Sequence, residues 1–599
     1  MLNKISRYSR IITTPIIKEF PFFISYIIIL SAHAIYYSWL AKYISSWGVI
    51  DSTPIIKTIF STTLQAYILA AIINAIRIEG GKRAIRTIFY IATILLFACN
   101  DFLFKNFGAY INATYFILLA ETTKNESSEF INQYILSSAI IPTLLKALAM
   151  VALTVTINKF WPFVKNLLKK IPSIKNVSTF ITILVIALSM GYTAQTAIKV
   201  CNATNSEDLN YMQNPLDAVS QTITSTISIN KMKKNMEQAL EFNKQIAQNE
   251  ITTATLDDTL NIVLVLGESY IKSHSYLYGY PLNTTPNLNI EKREGRLFLF
   301  DNAMATTNIT SSSIRNILCC NNSSDNEEWY NYPYFPSLFF KAGYDVYFWS
   351  NQMTSINSKK KDFTLNGLLY DPDICTNSYT KINDKPFKYD GKLVESFKEE
   401  VKISDNKNNL IIFHLMGQHH IANERYPNDK FTHFTADSIK HNKLNLSYDQ
   451  KEYIAQFDNA TLYNDYILKE IIDIFRNTNT VLVYLSDHGD EVYDYQIKRG
   501  RDHSLNFTTN KVKYQYDIPF MVWCSDIYKE KHPQTIKSIE EASLRPFSSD
   551  NLCHLMFNLG GIQTIHYRDT LDIISPNFKE KRRLINGRYN YEAIRFVQE

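Results

Sequence analysis

The first 200 residues contain about five apolar runs, at 17–43, 55–77, 84–106, 132–158 and 178–198, each near the roughly 20 residues a helix needs to cross a bilayer. In hydrocarbon every backbone polar group must be satisfied within the chain, so these runs allow little but a helical transmembrane bundle. Charge orients it. Lys4, Arg7, Arg10 and Lys18 precede the first run; Arg77, Lys82, Arg83 and Arg86 separate the second from the third; Lys159, Lys165, Lys169, Lys170 and Lys175 separate the fourth from the fifth. The loop after the third carries Glu121, Glu126 and Glu129 instead. The positive-inside rule then places the N-terminus in the cytoplasm, and an odd number of spans puts the chain beyond residue 200 on the opposite side. The first run is too long for a cleaved signal peptide and lacks a small-residue cleavage site.

From 201 to 258 the sequence turns polar, with an amphipathic helix expected over 227–250 as a connector, and 259–599 reads as a soluble domain. A hydrophobic fraction of 46% with a mean hydropathy of only −0.15 suits a chain that is part membrane and part soluble. The net charge of +5 is too small for 599 residues to suggest nucleic-acid binding. The seven cysteines form no CxxC pair, which excludes a zinc ribbon, and in an oxidising compartment Cys319 or Cys320 could pair with a partner such as Cys375.

Beyond Leu260, strand and helix patterns alternate. Strands are expected at 261–266, 296–300, 345–349, 410–415, 481–485 and 518–523, with helices such as 335–342 and 451–475 between them, which argues an α/β fold with a mostly parallel central sheet. Two segments, NIVLVLGESY at 261–270 and VLVYLSDHGDE at 481–491, are continuous apolar runs that end in charge. Such runs are strands buried on both faces, and ligand sites lie beyond their carboxyl ends. Glu268, Asp487 and His488 can therefore meet at one point, with the carboxylate oxygens and imidazole nitrogen that suit zinc. A nucleophile is expected nearby. The loop DNAMATTNITSSSIRNILCC offers Thr306, Thr307, Thr310, Ser311, Ser312 and Ser313 at the start of a helix, whose free amides favour a phosphoryl group. The residues alone do not choose among these hydroxyls.

GESYIKSHSYLYGYPLNTTPNL at 267–288, HLMGQHH at 414–420 and SDHGDEVYD at 486–494 together resemble the membrane-bound phosphoethanolamine transferases of Gram-negative bacteria, in the sulfatase and alkaline phosphatase-like superfamily. That family includes lipid A transferases, mobile colistin (polymyxin) resistance enzymes and core transferases, and the LYGYP-x-x-TTP run is most similar to the core-heptose branch. The resemblance implies five spans followed by a periplasmic catalytic domain, zinc held by Glu268, Asp487, His488 and the reacting Thr310, and a phosphorylated-threonine intermediate. It makes Thr310 the nucleophile, although Arg315 stands where the lipid A subgroup has proline. His419 and His503 correspond to its active-site histidines, with Gln418 and His420 replacing a serine and a glycine. His274, His414 and His420 are expected to be structural.

The resemblance further implies that Thr122 and Glu126, which match the spacing of the family's substrate-binding pair, contact the donor, although Leu118 replaces the family's asparagine. The implied reaction moves phosphoethanolamine from phosphatidylethanolamine to a lipopolysaccharide acceptor, either lipid A or a core sugar, at the inner membrane, by a monomer. The alternatives are a related phosphodiesterase or glycerol-phosphate transferase and a catalytically inactive envelope binding protein.

Overall fold

The computed structural model describes residues 2–44, 53–107, 110–122, 124–168, 174–202, 217–255, 259–352, 364–442, 444–503 and 506–596. Two compact units emerge, Met1–Met232 and Lys233–Glu599.

In the first unit, helices α1 (Leu2–Lys18), α2 (Phe20–Ile44), α3 (Thr53–Ala75), α4 (Glu79–Phe107), α7 (Ile141–Leu168) and α8 (Ile174–Asn202) carry the apolar sequence. Among the described residues, four stretches are long and apolar enough to span a membrane: Ile55–Ala75, Glu79–Phe107, Ser138–Leu167 and Thr179–Asn202. Arg10–Lys18 and Phe20–Ala32, bent by 75°, make a fifth if they count as one span. The bend falls at Glu19, inside the run expected to start at 17. Its carboxylate is only 2% exposed and is held by Lys82 at 3.1 Å and Arg86 at 2.7 Å. A buried charge needs such partners, and Pro21, which has no amide to continue the helix from Ile17, accounts for the break beside it. Asp101 is treated alike, accepting from Lys146 at 2.7 Å and Thr143 at 2.9 Å.

Two short helices, α5 (Ala113–Glu121) and α6 (Lys124–Phe130), and a π-turn at Ile131–Ile135 separate α4 from α7. The fourth apolar run was expected from 132, but its long helix starts only after Ser137, which caps the Ala139 amide. The connector helix α9 spans Ala218–Asn249, starting before the expected 227 because Asp217 caps it. Asp217 accepts from Ser220 N at 2.9 Å and Gln65 Nε2 at 3.0 Å. Residues 203–216 and 256–258 of the expected connector lie outside the described residues.

The second unit is built on a seven-stranded sheet of β1 (Asn261–Gly267), β2 (Leu297–Phe300), β3 (Asp345–Ser350), β4 (Lys381–Ile382), β5 (Asn409–His414), β6 (Thr480–Ser486) and β7 (Phe520–Cys524). Their order is β2-β7-β6-β1-β5-β3-β4. β1 pairs in parallel with β5 and β6, and β3 with β5 and β4; β7 runs antiparallel to both β2 and β6. Every residue of β1 and β6 is buried, as their uninterrupted apolarity requires. Ile262, Leu264 and Leu266 face one core with Ile314 and Ile317 of α10 (Thr310–Leu318). Val263 and Val265 face the other with Ile467, Leu468 and Ile471 of α11 (Tyr448–Phe475). Each fully buried aliphatic side chain contributes about 1.5–3 kcal/mol, so the two cores fix the sheet between its helix layers. The cysteines are free thiols. Cys375 Sγ sits against the Leu369 carbonyl at 3.7 Å, whereas the Cys320 thiol meets Cys553, so the pairing with Cys375 that the sequence left open is not the one the fold brings together.

Candidate metal centre and nucleophile

Gly267 and Ser486 are paired at the carboxyl ends of parallel β1 and β6, so the residues that follow them emerge side by side. The Asp487 amide continues the ladder to the Gly267 carbonyl at 3.0 Å. Ser269 then takes a left-handed φ of 56°, unusual for a residue with a Cβ, which turns its amide onto Asp487 Oδ1 at 3.0 Å. The His488 amide donates to the same oxygen at 2.7 Å. Glu268, Asp487 and His488 are each fully buried, and one ligand atom from each lies within 4.8 Å of the others.

The protonation pattern follows from this geometry. His488 Nδ1 faces the Gly489 carbonyl at 2.7 Å, so that nitrogen carries the proton and Nε2 offers its lone pair to the cluster. Burial, reinforced by the Arg501 guanidinium, drives the ring's pKa down to about 3 and keeps it neutral. Burial pushes Asp487 up to about 6. Its Oδ2, buried and 3.0 Å from His488 Nε2, has no hydrogen-bond partner. A buried carboxylate oxygen without a donor, beside a second carboxylate and an imidazole lone pair, fits a divalent metal ion.

Thr310 opens α10, and no side chain caps the helix start. Its Oγ1 lies 3.1 Å from His488 Nε2 and 3.4 Å from Glu268 Oε1. Other hydroxyls of the loop are engaged elsewhere: Thr306 accepts from Asn316 at 3.1 Å, and Ser313 donates to the Asp487 carbonyl at 2.6 Å. The structure thus brings together Glu268, Asp487, His488 and Thr310. Ser269 stays beside them, donating to Glu268 Oε1 at 2.6 Å.

His419 lies in the turn after β5, which is folded back on β1. The Gln418 amide donates to the Glu268 carbonyl at 3.0 Å, and Asp390 accepts from the Met416 and Gly417 amides at 2.9 Å each. Gly417 has φ +50°, and a Cβ there would stand 2.9 Å from Glu268 N and O, so the close approach requires glycine. His503 is half-buried, with Nδ1 lacking a hydrogen-bond partner. Burial, then Arg501 and Lys511, lower its pKa to about 3, and His488 is near enough to add to the effect. His414 is buried against Ser350 Oγ at 3.1 Å, and His274 bridges Asp458 at 2.7 Å and Asp494 at 2.9 Å.

In the first unit, Thr122 ends α5, exposed, with its hydroxyl on the Leu118 carbonyl. Glu126 belongs to α6, and its side chain lies outside the described residues.

Sequence reasoning missed two groups. Gln352 Nε2 donates to Glu268 Oε2 at 3.1 Å and to the Leu415 carbonyl at 2.7 Å, steering the carboxylate. Arg501 Nη1 reaches both His488 Nε2 and the Asn308 carbonyl. The available signal was GRDH, which puts Arg501 two residues before His503.

The sulfatase family profile matches residues 260–562, half of the chain. Phosphoethanolamine transferase EptC of Escherichia coli is 30% identical over 338 residues, 56% of this chain and 56% of that protein. Phosphoethanolamine transferase EptA of Helicobacter pylori is 32% identical over 275 residues, 45% of this chain and 49% of that protein. The chain thus spans about half the length of these curated relatives. The crystal structure of the C-terminal periplasmic domain of E. coli EptC aligns with a TM-score of 0.50 at 28% identity, covering 58% of this chain and 96% of that one. The integral membrane lipooligosaccharide phosphoethanolamine transferase A of Neisseria meningitidis aligns with a TM-score of 0.60 over 92% of this chain and 97% of that one; at 17% identity this establishes a shared fold of apolar helices and sulfatase-like domain. The chain belongs to the sulfatase family, among relatives there that are phosphoethanolamine transferases.

Proposed function

We propose that this protein is a zinc-dependent transferase that moves phosphoethanolamine from phosphatidylethanolamine to a lipopolysaccharide acceptor, lipid A or a core sugar, through phosphorylated Thr310. The observation that carries the reading is the Thr310 hydroxyl, at the open start of α10 and 3.1 Å and 3.4 Å from two groups of the buried acidic cluster. Glu268, Asp487, His488 and Thr310 would hold the metal, whose charge lowers the pKa of a coordinated hydroxyl and offsets negative charge at phosphorus. Gln352 and the amides on Asp487 Oδ1 keep the carboxylates oriented.

Thr310 Oγ1 forms the new bond to phosphorus as the bond to the diacylglycerol oxygen breaks. The proton that leaves Thr310 Oγ1 is taken up by an imidazole and delivered to the departing alkoxide, for which His419 and His503 are the available rings, so the displacement consumes no net proton. An acceptor oxygen then attacks the phosphorylated threonine and restores the hydroxyl, so donor and acceptor react in separate displacements. The first unit anchors the enzyme among its lipid substrates at the inner membrane, N-terminus cytoplasmic and second unit periplasmic, with Thr122 and Glu126 at the donor headgroup. A monomer suffices for this chemistry.

Intact mass after incubation with phosphatidylethanolamine and no acceptor tests the scheme. A phosphoethanolamine adduct mapped to Thr310 is expected. Diacylglycerol release from a protein that never carries an adduct, or normal turnover by Thr310→Ala, refutes it.

A further inference from the structure

Arg501 meets His488 Nε2, the nitrogen beside Thr310, and its position is built rather than incidental. Asn308, two residues before the nucleophile, donates from Nδ2 to Gln515 Oε1 at 2.9 Å and to the Asp502 carbonyl at 3.1 Å. The Asp502 amide donates to the same Gln515 oxygen at 3.1 Å, and Arg501 Nη1 donates to the Asn308 carbonyl at 3.0 Å. The nucleophile loop and the arginine segment are thereby cross-tied through Asn308 and Gln515, both buried.

The guanidinium also meets His488 Nε2, the nitrogen that Thr310 Oγ1 approaches to 3.1 Å, so cation and nucleophile are immediate neighbours. Among the described residues Arg501 has no carboxylate within ion-pair distance; the adjacent Asp502 pairs with Lys511 at 3.4 Å instead. Once a metal ion takes the Nε2 lone pair, the half-buried guanidinium keeps the Asn308 carbonyl and has donors left for an anion.

We propose that Arg501 is a catalytic residue that binds the non-bridging oxygens of the phosphoryl group as it passes onto and off Thr310. This rests on the transferase reading above. Glu268 and Asp487 would repel an incoming phosphodiester on the side where Thr310 opens, and a fixed cation there offsets that repulsion. A guanidinium fork matches two phosphoryl oxygens, and it strengthens its hold as charge accumulates on them. One P–O bond forms at Thr310, one breaks at the leaving alcohol, and the oxygens bound by Arg501 exchange nothing.

The test uses full-length wild type, Arg501→Ala and Arg501→Lys. With phosphatidylethanolamine vesicles and no acceptor, Arg501→Ala is expected to form the adduct about 10²–10³-fold more slowly, with Arg501→Lys between it and wild type. Added guanidinium ion should restore part of the lost rate in Arg501→Ala, which a purely structural role would not allow. In metal-stripped protein, inorganic phosphate should bind at least about tenfold more weakly to Arg501→Ala than to wild type. Adduct formation at the wild-type rate, or unchanged phosphate affinity without guanidinium rescue, overturns the proposal. If Arg501→Ala does not fold, Arg501→Lys decides by the same two measurements. Wild type that forms no adduct refutes the transferase reading, and Arg501 then stands or falls on phosphate affinity.

Discussion

Gly417→Ala should damage the site without touching a reacting atom. Gly417 sits at φ +50°, where a Cβ costs about 1 kcal/mol. The new methyl would also stand 2.9 Å from Glu268 N and O, where ordinary contact begins at 3.4 Å. Both atoms are backbone, so relief requires moving the β1 tip by about half an ångström, an overpacking cost of about 1–3 kcal/mol. The total is about 2–4 kcal/mol. Gly279→Ala is the control: its φ is +94°, but nothing lies within 4 Å of the added methyl, so only the conformational share of about 1 kcal/mol remains. The same displacement would carry Glu268 Oε1 away from Thr310 Oγ1, now 3.4 Å distant. Displacements of this order reduce rates by about 10–100-fold. Thermal unfolding of the detergent-solubilised chain, zinc affinity against a competing chelator, and the single-turnover rate of adduct formation measure the three effects. Wild-type zinc affinity and rate in Gly417→Ala, with stability lost equally in both variants, would refute the steric argument.

Thr310→Ser should keep adduct formation within about tenfold of wild type, whereas Thr310→Ala should abolish it, as read by intact mass. Chelation should lower the melting temperature, and zinc should restore it: at a hundredfold excess over Kd the linked stabilisation is about 2.7 kcal/mol, and a melting temperature indifferent to zinc would count against the centre. A pH effect is expected at His274. Burial opposes its charged form, but Asp494 and Asp458 on the two ring nitrogens outweigh it and raise the pKa to about 10. Because the folded value lies above the ordinary 6.5, the stabilisation is complete below about pH 6.5 and lost as pH rises through about 10. His274→Gln should flatten the alkaline limb of a stability–pH profile, and an unchanged limb would remove the ion triad as its cause.

Much of the second unit was legible because parallel strands buried on both faces leave uninterrupted apolar runs, and the hard residues after them stand out. Glu268, Asp487 and His488 could be placed by that contrast alone. Thr310 could not be separated from Thr306 or Ser313 by its residues, since all are small hydroxyls beside a helix start; the structure separates them by the partner each hydroxyl finds. Gln352 and Arg501 left no mark because their roles depend on a turn after β3 and a loop after β6 folding to one point. Two-residue β4 is too short to show a pattern. The partners of Glu19 were not legible because hydropathy sums residues and does not register that Lys82 and Arg86 lie within reach. Asp217 escaped likewise, its cap depending on Gln65, 152 positions earlier.

The distance in sequence between the two strand tips also has a bearing on biogenesis. The Ser269 amide and the Asp487 carboxylate that receives it are 218 residues apart, and the strand carrying Asp487 is completed on its outer side by β7, later still. A chain made from its N-terminus exposes Glu268 and Thr310 long before Asp487 and His488 exist. A half-finished chain thus has a lone carboxylate and an unactivated hydroxyl, with neither a metal trap nor a reactive oxygen. On the proposed reading, metal acquisition and the onset of reactivity would wait until the central strands close, and contacts so far apart in the chain are slow to form. On that reading the gap in sequence would act as a timer that keeps the unfinished second unit inert.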